Sequence, residues 1–285
     1  MGSRCTISLY ASDEHQASMA ASGAFDEIAR IEGKITDYDP NSQAAQLTQM
    51  AVGQWHPVSD TLFDILNISQ EINKQTQGAF DPTIGSLTHL WRDARNEGRL
   101  PSDQQLQEAR NSGGFGHIQL DAVHRSVRFD TQGMTLDFGG IGKGYAADRA
   151  LEYLNALGYG SVMVNLGGDI ALGDPPPDQE SGWLIEIQTG FGQKSQVFES
   201  RCGIATSGDF ERFFVYQGVR YSHIIDPRTG FGITTQHAST VIAPNATLAD
   251  ALASAISVLG EGSIEYLEGL YPPTEITLRA RLLNE

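Results

Sequence analysis

One glycine-rich stretch carries the strongest signal for both fold and chemistry. It reads Leu136-Asp137-Phe138-Gly139-Gly140-Ile141-Gly142-Lys143-Gly144-Tyr145-Ala146-Ala147-Asp148. Glycine lets the backbone come close to a ligand, and the N-terminus of a helix directs N–H groups towards an anion. Lys143 adds a positive charge and Asp137 a carboxylate. We therefore predict a strand at 135–138, a helix at 143–157, and a turn between them that handles phosphate.

This stretch differs from the two common nucleotide-binding loops. Tyr145 follows Lys143-Gly144, so the hydroxyl that a P-loop supplies to magnesium is missing. The stretch also lies far from the first predicted strand, where a dinucleotide fingerprint is expected. A glycine turn with a purely structural role stays open as the alternative interpretation.

Composition limits the classes of function. The 285 residues are 40% hydrophobic, which suits one large domain or two smaller lobes. We predict a single domain over 1–285, with the proline-rich segment 174–182 as the best candidate for a lobe junction or an insertion. The net charge of −16 and the lack of a basic cluster argue against nucleic-acid binding. A phosphate ligand must then be met locally, by backbone N–H groups, Lys143 or a metal ion.

The cysteines and the hydropathy pattern add three expectations. Cys5 and Cys202 belong to no CxxC or Cys/His cluster, so two partly buried thiols are favoured over a zinc site or a disulfide. No run of about 18 apolar residues occurs, so no transmembrane segment is predicted. Neither a signal peptide nor a lipobox is seen, which leaves the compartment undecided.

The remaining elements predict the α+β class with antiparallel or mixed sheets and packed helices. Helices are expected at 17–35, with Phe25, Ile28, Ile31 and Ile35 on one face, and at 247–259. Ser59 and Ser102 are expected to cap two more helices, which end near Gly78 and Gly113. Strands are expected at 5–10, 117–120, 126–130, 161–166, 183–188, 196–199, 213–216, 221–225 and 238–243.

Two polar constellations suggest chemistry, each with a structural alternative. His223 lies among small polar residues and is a candidate general base, while 226–230 has the composition of a β-turn. Asp250 and Ser254 are four residues apart, which places two oxygens on one helix face and suits Mg²⁺. The alternative is a helix cap with Thr247 and Asp250 in the first turn, and spacing alone favours that cap.

Two aromatic segments are open to two interpretations as well. The segment Phe80-Asp81-Pro82-Thr83 reads as a buried aromatic loop unless a ligand lies against it. Tyr38 in a polar loop is either a stacking platform for a ring ligand or an ordinary surface tyrosine.

Taken together and in this order, these motifs resemble the ApbE family of flavin transferases. Each motif is weak alone, and eight in the family's order make a strong match over residues 1 to about 260. The matching pieces are Met1-Gly2-Ser3, 38–42, 78–83, 136–148, 165–169, 206–209, 223–230, and Ala249-Asp250 with Ser254.

The resemblance implies a T-fold-like architecture with two lobes around a flavin cleft. It implies a Mg²⁺-dependent reaction in which FMN passes from FAD to a Thr or Ser hydroxyl of an acceptor protein, such as an electron-transport subunit, and AMP is released. An FAD pyrophosphatase and a non-catalytic FAD-binding protein are the alternatives. The family is usually exported, which implies an extracytoplasmic location.

The resemblance also assigns roles to individual residues. His223, Lys143 and Asp250 would be catalytic, and Mg²⁺ would be held by the Gly140 carbonyl, Asp250 and Ser254. Ser254 stands where threonine is usual and Gly140 where alanine is common; neither change removes a ligand oxygen. The FAD contacts would be Met1, Tyr38, Ala79, Phe80, Asp81, Asp137, Lys143 and Ile224.

Overall fold

The computed structural model describes residues 3–190, 193–208 and 213–280. The chain folds into two compact units. Unit 1 draws on Met1–Glu32, Ile141–Gly208 and His237–Glu285, and unit 2 on Gly33–Gly140 and Asp209–Gln236. The glycine stretch is thus divided between the units, because unit 1 resumes at Ile141.

The described part of the chain contains both helices and strands. The α-helices are α1 Glu14–Ile35, α2 Gln43–Leu47, α3 Asp60–Gln75, α4 Gly85–Glu97, α5 Asp103–Ser112, α6 Gly142–Ala156, α7 Ala246–Leu259 and α8 Ile264–Leu270. The strands are β1 Cys5–Leu9, β2 His56–Pro57, β3 Ile118–Asp121, β4 Ser126–Phe129, β5 Val162–Leu166, β6 Asp169–Leu172, β7 Trp183–Gly190, β8 Gln193–Glu199, β9 Gly203–Gly208, β10 Phe213–Tyr216, β11 Val219–Ser222, β12 His237–Ala243 and β13 Glu275–Ala280.

Unit 1 is built on an antiparallel sheet with the strand order β1-β5-β6-β9-β12-β13. Helices α6 and α7 pack on this sheet and against each other. Alanines dominate the sequence of α7, and small side chains let a helix approach its neighbours closely. Its apolar residues join a buried core with the sheet, formed by Ala205, Val241, Ala243, Ala249, Leu252, Ala253, Ile256, Leu267 and Ile276.

Unit 2 combines the small sheet β2-β4-β3, the hairpin β10–β11 and helices α2 to α5. Ser59 caps α3 by accepting from the Leu62 N–H, and Ser102 forms a capping box with Gln105. Both caps are as predicted, since each is set by local sequence. A second core surrounds Trp91, whose indole N–H donates to the Gly230 carbonyl at 2.8 Å.

The predicted α+β class with antiparallel sheets is confirmed, and three local predictions are wrong. Phe25 is 42% exposed, because the buried stripe of α1 runs through Ala24, Ile28, Ile31 and Ile35. Residues 135–138 form no strand, since Thr135 makes a single bridge to Ile84. The strand expected at 221–225 ends at Ser222, and Ile225 then forms one bridge to Gly232.

The cysteine interpretation is confirmed, since Cys5 and Cys202 are free, partly buried thiols. Burial, together with the Glu199 carboxylate, raises the pKa of the Cys202 thiol to about 12. Of the helices described, none has the length and apolar content to cross a bilayer. The segment 174–182 connects β6 to β7 within unit 1, and a single domain with its junction there stays a prediction.

Candidate active site

In unit 1 the first turn of α6 presents Lys143. Its ammonium forms an ion pair with Asp169 Oδ2, and the Asp169 side chain is 2% exposed. Asp169 begins β6 directly after the turn at Gly167-Gly168, where both glycines have positive φ. A tight turn therefore places a buried carboxylate where it orients the lysine. Sequence reasoning quoted Asp169 within 165–169 but gave it no role.

Asp250 reaches the N-terminus of α6 from the neighbouring helix α7. Its Oδ2 accepts from the Gly144 N–H at 3.1 Å. Burial raises the pKa of this carboxyl, although the Lys143 charge and backbone N–H groups of α6 favour the ionised form. The helix N-terminus that was predicted to face a ligand thus already meets a carboxylate of the protein. Ser254 follows one turn later on α7 and is partly buried.

Asp148 forms the reciprocal contact, from α6 to the N-terminus of α7. It accepts from Ala246 N at 2.9 Å, Thr247 N at 2.7 Å and Thr247 Oγ1 at 2.5 Å. Burial raises the pKa of Asp148 against the effect of these donors. The N-cap of α7 is Asn245, which accepts from the Leu248 N–H at 2.9 Å. Thr247 lies in the first turn of α7, as the alternative expected, but Asp250 follows that turn and bonds to α6, so this part of the alternative is wrong.

Gly144 permits the close crossing of α6 and α7. A Cβ at this position would lie 2.1 Å from the Ala246 carbonyl oxygen and 2.9 Å from Asp250 Cβ. Real Cβ atoms do not approach other atoms so closely, so any larger residue would push the helices apart. At Gly144, helix packing and not access for a ligand accounts for the glycine.

In unit 2, Arg92 on α4 gathers three side chains. It donates to Asp37 Oδ2 at 2.7 Å and to Asp137 Oδ2 at 3.0 Å. Its guanidinium lies 4.4 Å from the centre of the Tyr38 ring. Two predicted FAD contacts, Tyr38 and Asp137, are thus held by one residue. Sequence reasoning missed Arg92, and nothing in its local sequence marks it.

Asp37 anchors Arg92 on its other side. His89 Nε2 lies 2.9 Å from the same Asp37 oxygen. Burial alone would raise the pKa of Asp37, but the hydrogen bonds from His89 and Arg92 outweigh it and hold the pKa below its ordinary value. The carboxylate is therefore ionised and paired near neutral pH.

The loop that follows α3 is closed by its own hydrogen bonds. Ala79 and Phe80 are buried, and Asn73 Nδ2 donates to the Phe80 carbonyl at 2.8 Å. Asp81 Oδ1 accepts from Thr83 N at 2.8 Å and Thr83 Oγ1 at 2.6 Å. Burial raises the pKa of Asp81. The buried-loop interpretation therefore describes these side chains well.

His223 and Ile224 lie just beyond β11. The His223 side chain is exposed, and the Ile224 carbonyl accepts from the Ile233 N–H at 2.9 Å. The turn that follows is the predicted β-turn, with the Asp226 carbonyl accepting from Thr229 N at 3.2 Å and Gly230 N at 2.8 Å. His223 is thus available to solvent on a hydrogen-bonded hairpin.

The predicted site residues are distributed over both units. Lys143, Asp250 and Ser254 belong to unit 1. Unit 2 contains Tyr38, Ala79, Phe80, Asp81, Asp137, Gly140, His223 and Ile224. Met1 lies outside the described residues.

The donor chemistry at Asp250 and Ser254 fits a hard cation. Within the described ranges no group of three His, Cys, Asp or Glu side chains forms a metal cluster. A carboxylate and a hydroxyl one turn away on the same helix are oxygen donors, which Mg²⁺ prefers and supplements with water or phosphate. The residues present therefore suit Mg²⁺ better than zinc.

Comparison with known proteins gives consistent results over nearly the whole chain. The ApbE family model matches residues 1–277. The Treponema pallidum protein named FAD:protein FMN transferase is 33% identical, over 91% of this chain and 77% of that protein. Its name confirms the prediction that the chain is a transferase.

Solved structures show the same similarity. The Pseudomonas stutzeri flavinyl transferase ApbE in its apo form has a TM-score of 0.86 at 26% identity, covering 99% of this chain and 89% of that one. The ApbE protein of Thermotoga maritima has a TM-score of 0.87 at 28% identity, covering 98% and 91%. This chain belongs to the ApbE family.

Proposed function

We propose that this protein transfers FMN from FAD to a Thr or Ser hydroxyl of an acceptor protein, with the help of Mg²⁺. The acceptor oxygen forms a bond to the FMN phosphorus, the pyrophosphate P–O bond breaks, and AMP leaves. Relatives named FAD:protein FMN transferase support the proposal. The observation that carries it is the first turn of α6, where Asp169 pairs with the Lys143 ammonium and Asp250 accepts from the neighbouring Gly144 N–H.

Lys143 is the residue that meets the charge of the pyrophosphate. Phosphoryl transfer depends on positioning and charge neutralisation more than on covalent help. Asp169 holds the ammonium in place before substrate arrives. A positioned donor of this kind typically lowers the barrier by about 3 kcal/mol. Removing Lys143 should therefore slow turnover by more than it weakens FAD binding.

The side chains of Asp250 and Ser254 and the carbonyl of Gly140 would hold Mg²⁺. When bound, the ion neutralises phosphate charge that an acidic chain of net charge −16 cannot meet by itself. A buried carboxyl whose pKa is raised by burial gains from a nearby cation, because the cation favours its ionised form. Asp250 therefore has a physical reason to bind a metal ion.

The residues of unit 2 are proposed to hold the flavin nucleotide. Tyr38 offers an exposed ring face for stacking, and Asp137 offers a fixed carboxylate. Ala79, Phe80, Asp81 and Ile224 are proposed to add contacts, together with Met1. The exposed imidazole of His223 is proposed to take the proton of the acceptor hydroxyl, because its ordinary pKa lies near neutrality.

Incubation of the protein with FAD, Mg²⁺ and an acceptor domain carrying the target threonine tests the proposal. We expect a covalent flavin on the acceptor, seen by in-gel fluorescence and mass, together with AMP and a loss of both on chelation. The matched control is the acceptor with that threonine changed to alanine. Release of FMN and AMP without acceptor labelling would instead indicate an FAD pyrophosphatase. Unlabelled acceptors across several candidates, with no AMP formed, would refute turnover of FAD.

A further inference from the structure

We propose that Arg92 is a positioning residue for FAD binding, which fixes the Tyr38 ring and the Asp137 carboxylate before the ligand arrives. The inference rests on the proposed function, since it assumes that Tyr38 and Asp137 contact FAD. The observation behind it is a set of three contacts made by one guanidinium within unit 2.

The geometry distinguishes positioning from direct phosphate binding. The two terminal nitrogens of Arg92 each donate to a different carboxylate, Asp37 at 2.7 Å and Asp137 at 3.0 Å. The side chains of these aspartates are only 6% and 12% exposed. Two negative charges therefore already surround the one positive charge. Each terminal nitrogen of Arg92 already donates to a carboxylate, so we assign Arg92 the role of holding these side chains in place, called the brace below.

Arginine suits this role because its guanidinium is planar and presents several donors in a fixed fork. One such group reaches two carboxylates at once and still covers an aromatic face. The compact ammonium of lysine does not present the same planar fork to two carboxylates and an aromatic ring. The arrangement therefore depends on arginine specifically and not only on a positive charge.

Arg92 restrains the Tyr38 ring more than any other side chain that it contacts. Tyr38 is 71% exposed, and an exposed side chain ordinarily samples several rotamers. The Arg92 guanidinium lies over the ring at 4.4 Å, which restrains the ring and leaves most of it accessible. Restraining a contact residue before binding reduces the entropy lost when the ligand binds. The accessible part of the ring is suited to a planar ligand.

Asp137 is restrained from two directions. Its Oδ2 accepts from Arg92, and its Oδ1 accepts from the Gly139 N–H at 2.8 Å. The second hydrogen bond closes a turn at the start of the glycine stretch. Arg92 therefore connects the ring at Tyr38 to the carboxylate at Asp137 through a single rigid group.

Substitution of Arg92 by lysine tests the inference, with Arg125→Lys as the matched control. Arg125 also belongs to unit 2, contacts the carboxylates of Asp60 and Asp64, and lies 5.1 Å from the Phe63 ring. We expect Arg92→Lys to raise the Kd and KM for FAD by about tenfold. The kcat should stay within about twofold, since Arg92 touches no reacting atom. Arg125→Lys should match the wild type.

A second variant makes the test independent of how well Arg92→Lys folds. Asp37→Asn removes the negative charge that anchors Arg92 and leaves the side chains of Tyr38 and Asp137 unchanged. It should also raise the Kd for FAD. The Kd of the double variant should be no higher than that of Arg92→Lys, because both substitutions act through one group. Additive effects in the double variant would contradict the brace.

Four further results would overturn the inference. An unchanged Kd for FAD in Arg92→Lys, or a fall in kcat at constant KM, would exclude a positioning role in binding. An equal loss in Arg125→Lys would indicate general damage to unit 2. In these cases wild-type protein still binds FAD, so the proposed function survives. Wild-type protein that does not bind FAD at all would refute the proposed function and this inference together.

Discussion

Asp148 and Asp250 are buried aspartates on adjacent helices, and each reaches the N-terminus of the other's helix. A carboxylate offers about four acceptor positions. Asp148 fills three of them with two N–H groups and the Thr247 hydroxyl. Asp250 meets backbone N–H groups of α6 and lies near the Lys143 charge. Similar burial thus accompanies different surroundings: Asp148 joins two helices, and for Asp250 we propose a metal ion as a further partner.

Substitution of Asp250 by asparagine should have the largest effect. The amide oxygen still accepts from the Gly144 N–H, so the fold should persist, but the negative charge that attracts Mg²⁺ is lost. We expect Mg²⁺-dependent transfer of FMN to fall by about 1000-fold, or about 4 kcal/mol in the barrier. Steady-state kinetics of acceptor labelling measure this, with circular dichroism as the check on folding. Wild-type rates of transfer in Asp250→Asn would contradict the proposed role of Asp250 as a metal ligand.

Substitution of Asp148 by alanine should act on stability instead. The N–H groups of Ala246 and Thr247 would then be buried without their acceptor. We expect the free energy of unfolding to fall by about 3 kcal/mol. Urea denaturation measures the loss. Transfer by the molecules that remain folded should stay near the wild-type rate, and a loss of transfer at full stability would reverse the assigned roles.

Substitution of Gly144 by alanine probes the crossing that brings the two aspartates together. The new Cβ would collide with the Ala246 carbonyl, and we expect a loss of about 2 kcal/mol in unfolding free energy. Gly33→Ala in α1 is the matched control, because a Cβ there meets no atom within 4 Å. The unfolding free energy of this control variant should rise by up to about 1 kcal/mol. Equal thermal shifts in the two variants would show that the crossing is not tight.

The smallest effect is expected for Ser254→Ala. Loss of one neutral ligand from a site that is completed by water should raise the Mg²⁺ concentration for half-maximal transfer by about tenfold. Ser257→Ala is the control on the same helix, since the Ser257 hydroxyl bonds to the Ala253 carbonyl and to Ser239. That variant should lose stability and keep its Mg²⁺ requirement. The reverse pattern would exclude Ser254 as a ligand.

Local chemistry explains which parts of the fold were predictable. Ser59 and Ser102 correctly predicted the N-termini of two helices, because a cap depends on residues within one turn. The segment 135–138 has the apolar character of a strand, yet Gly85 N donates to the Thr135 carbonyl and Asp137 N to the Pro82 carbonyl. Its partner is therefore a loop, and no property of the segment itself reveals that.

The residues of the candidate site likewise fall into those with a local sequence signal and those without one. Asp250 and Ser254 stood out by their spacing on one helix, which is a local signal, although spacing alone favoured a helix cap and the metal role came from the resemblance. Asp169 lies 26 residues from its partner Lys143, and Asp148 lies 99 residues from Thr247. Such pairs are created by tertiary packing, so sequence patterns miss them. The flavin and metal roles assigned by resemblance stay predictions.

Binding of Mg²⁺ to Asp148→Asn and Asp250→Asn tests the contrast between the two aspartates most directly. Isothermal titration in the presence of FAD measures it for both folded variants and the wild type. We expect the wild type and Asp148→Asn to bind Mg²⁺ with similar affinity, and Asp250→Asn to show no saturable binding. Wild-type affinity in Asp250→Asn, or its loss in folded Asp148→Asn, would contradict the assignment.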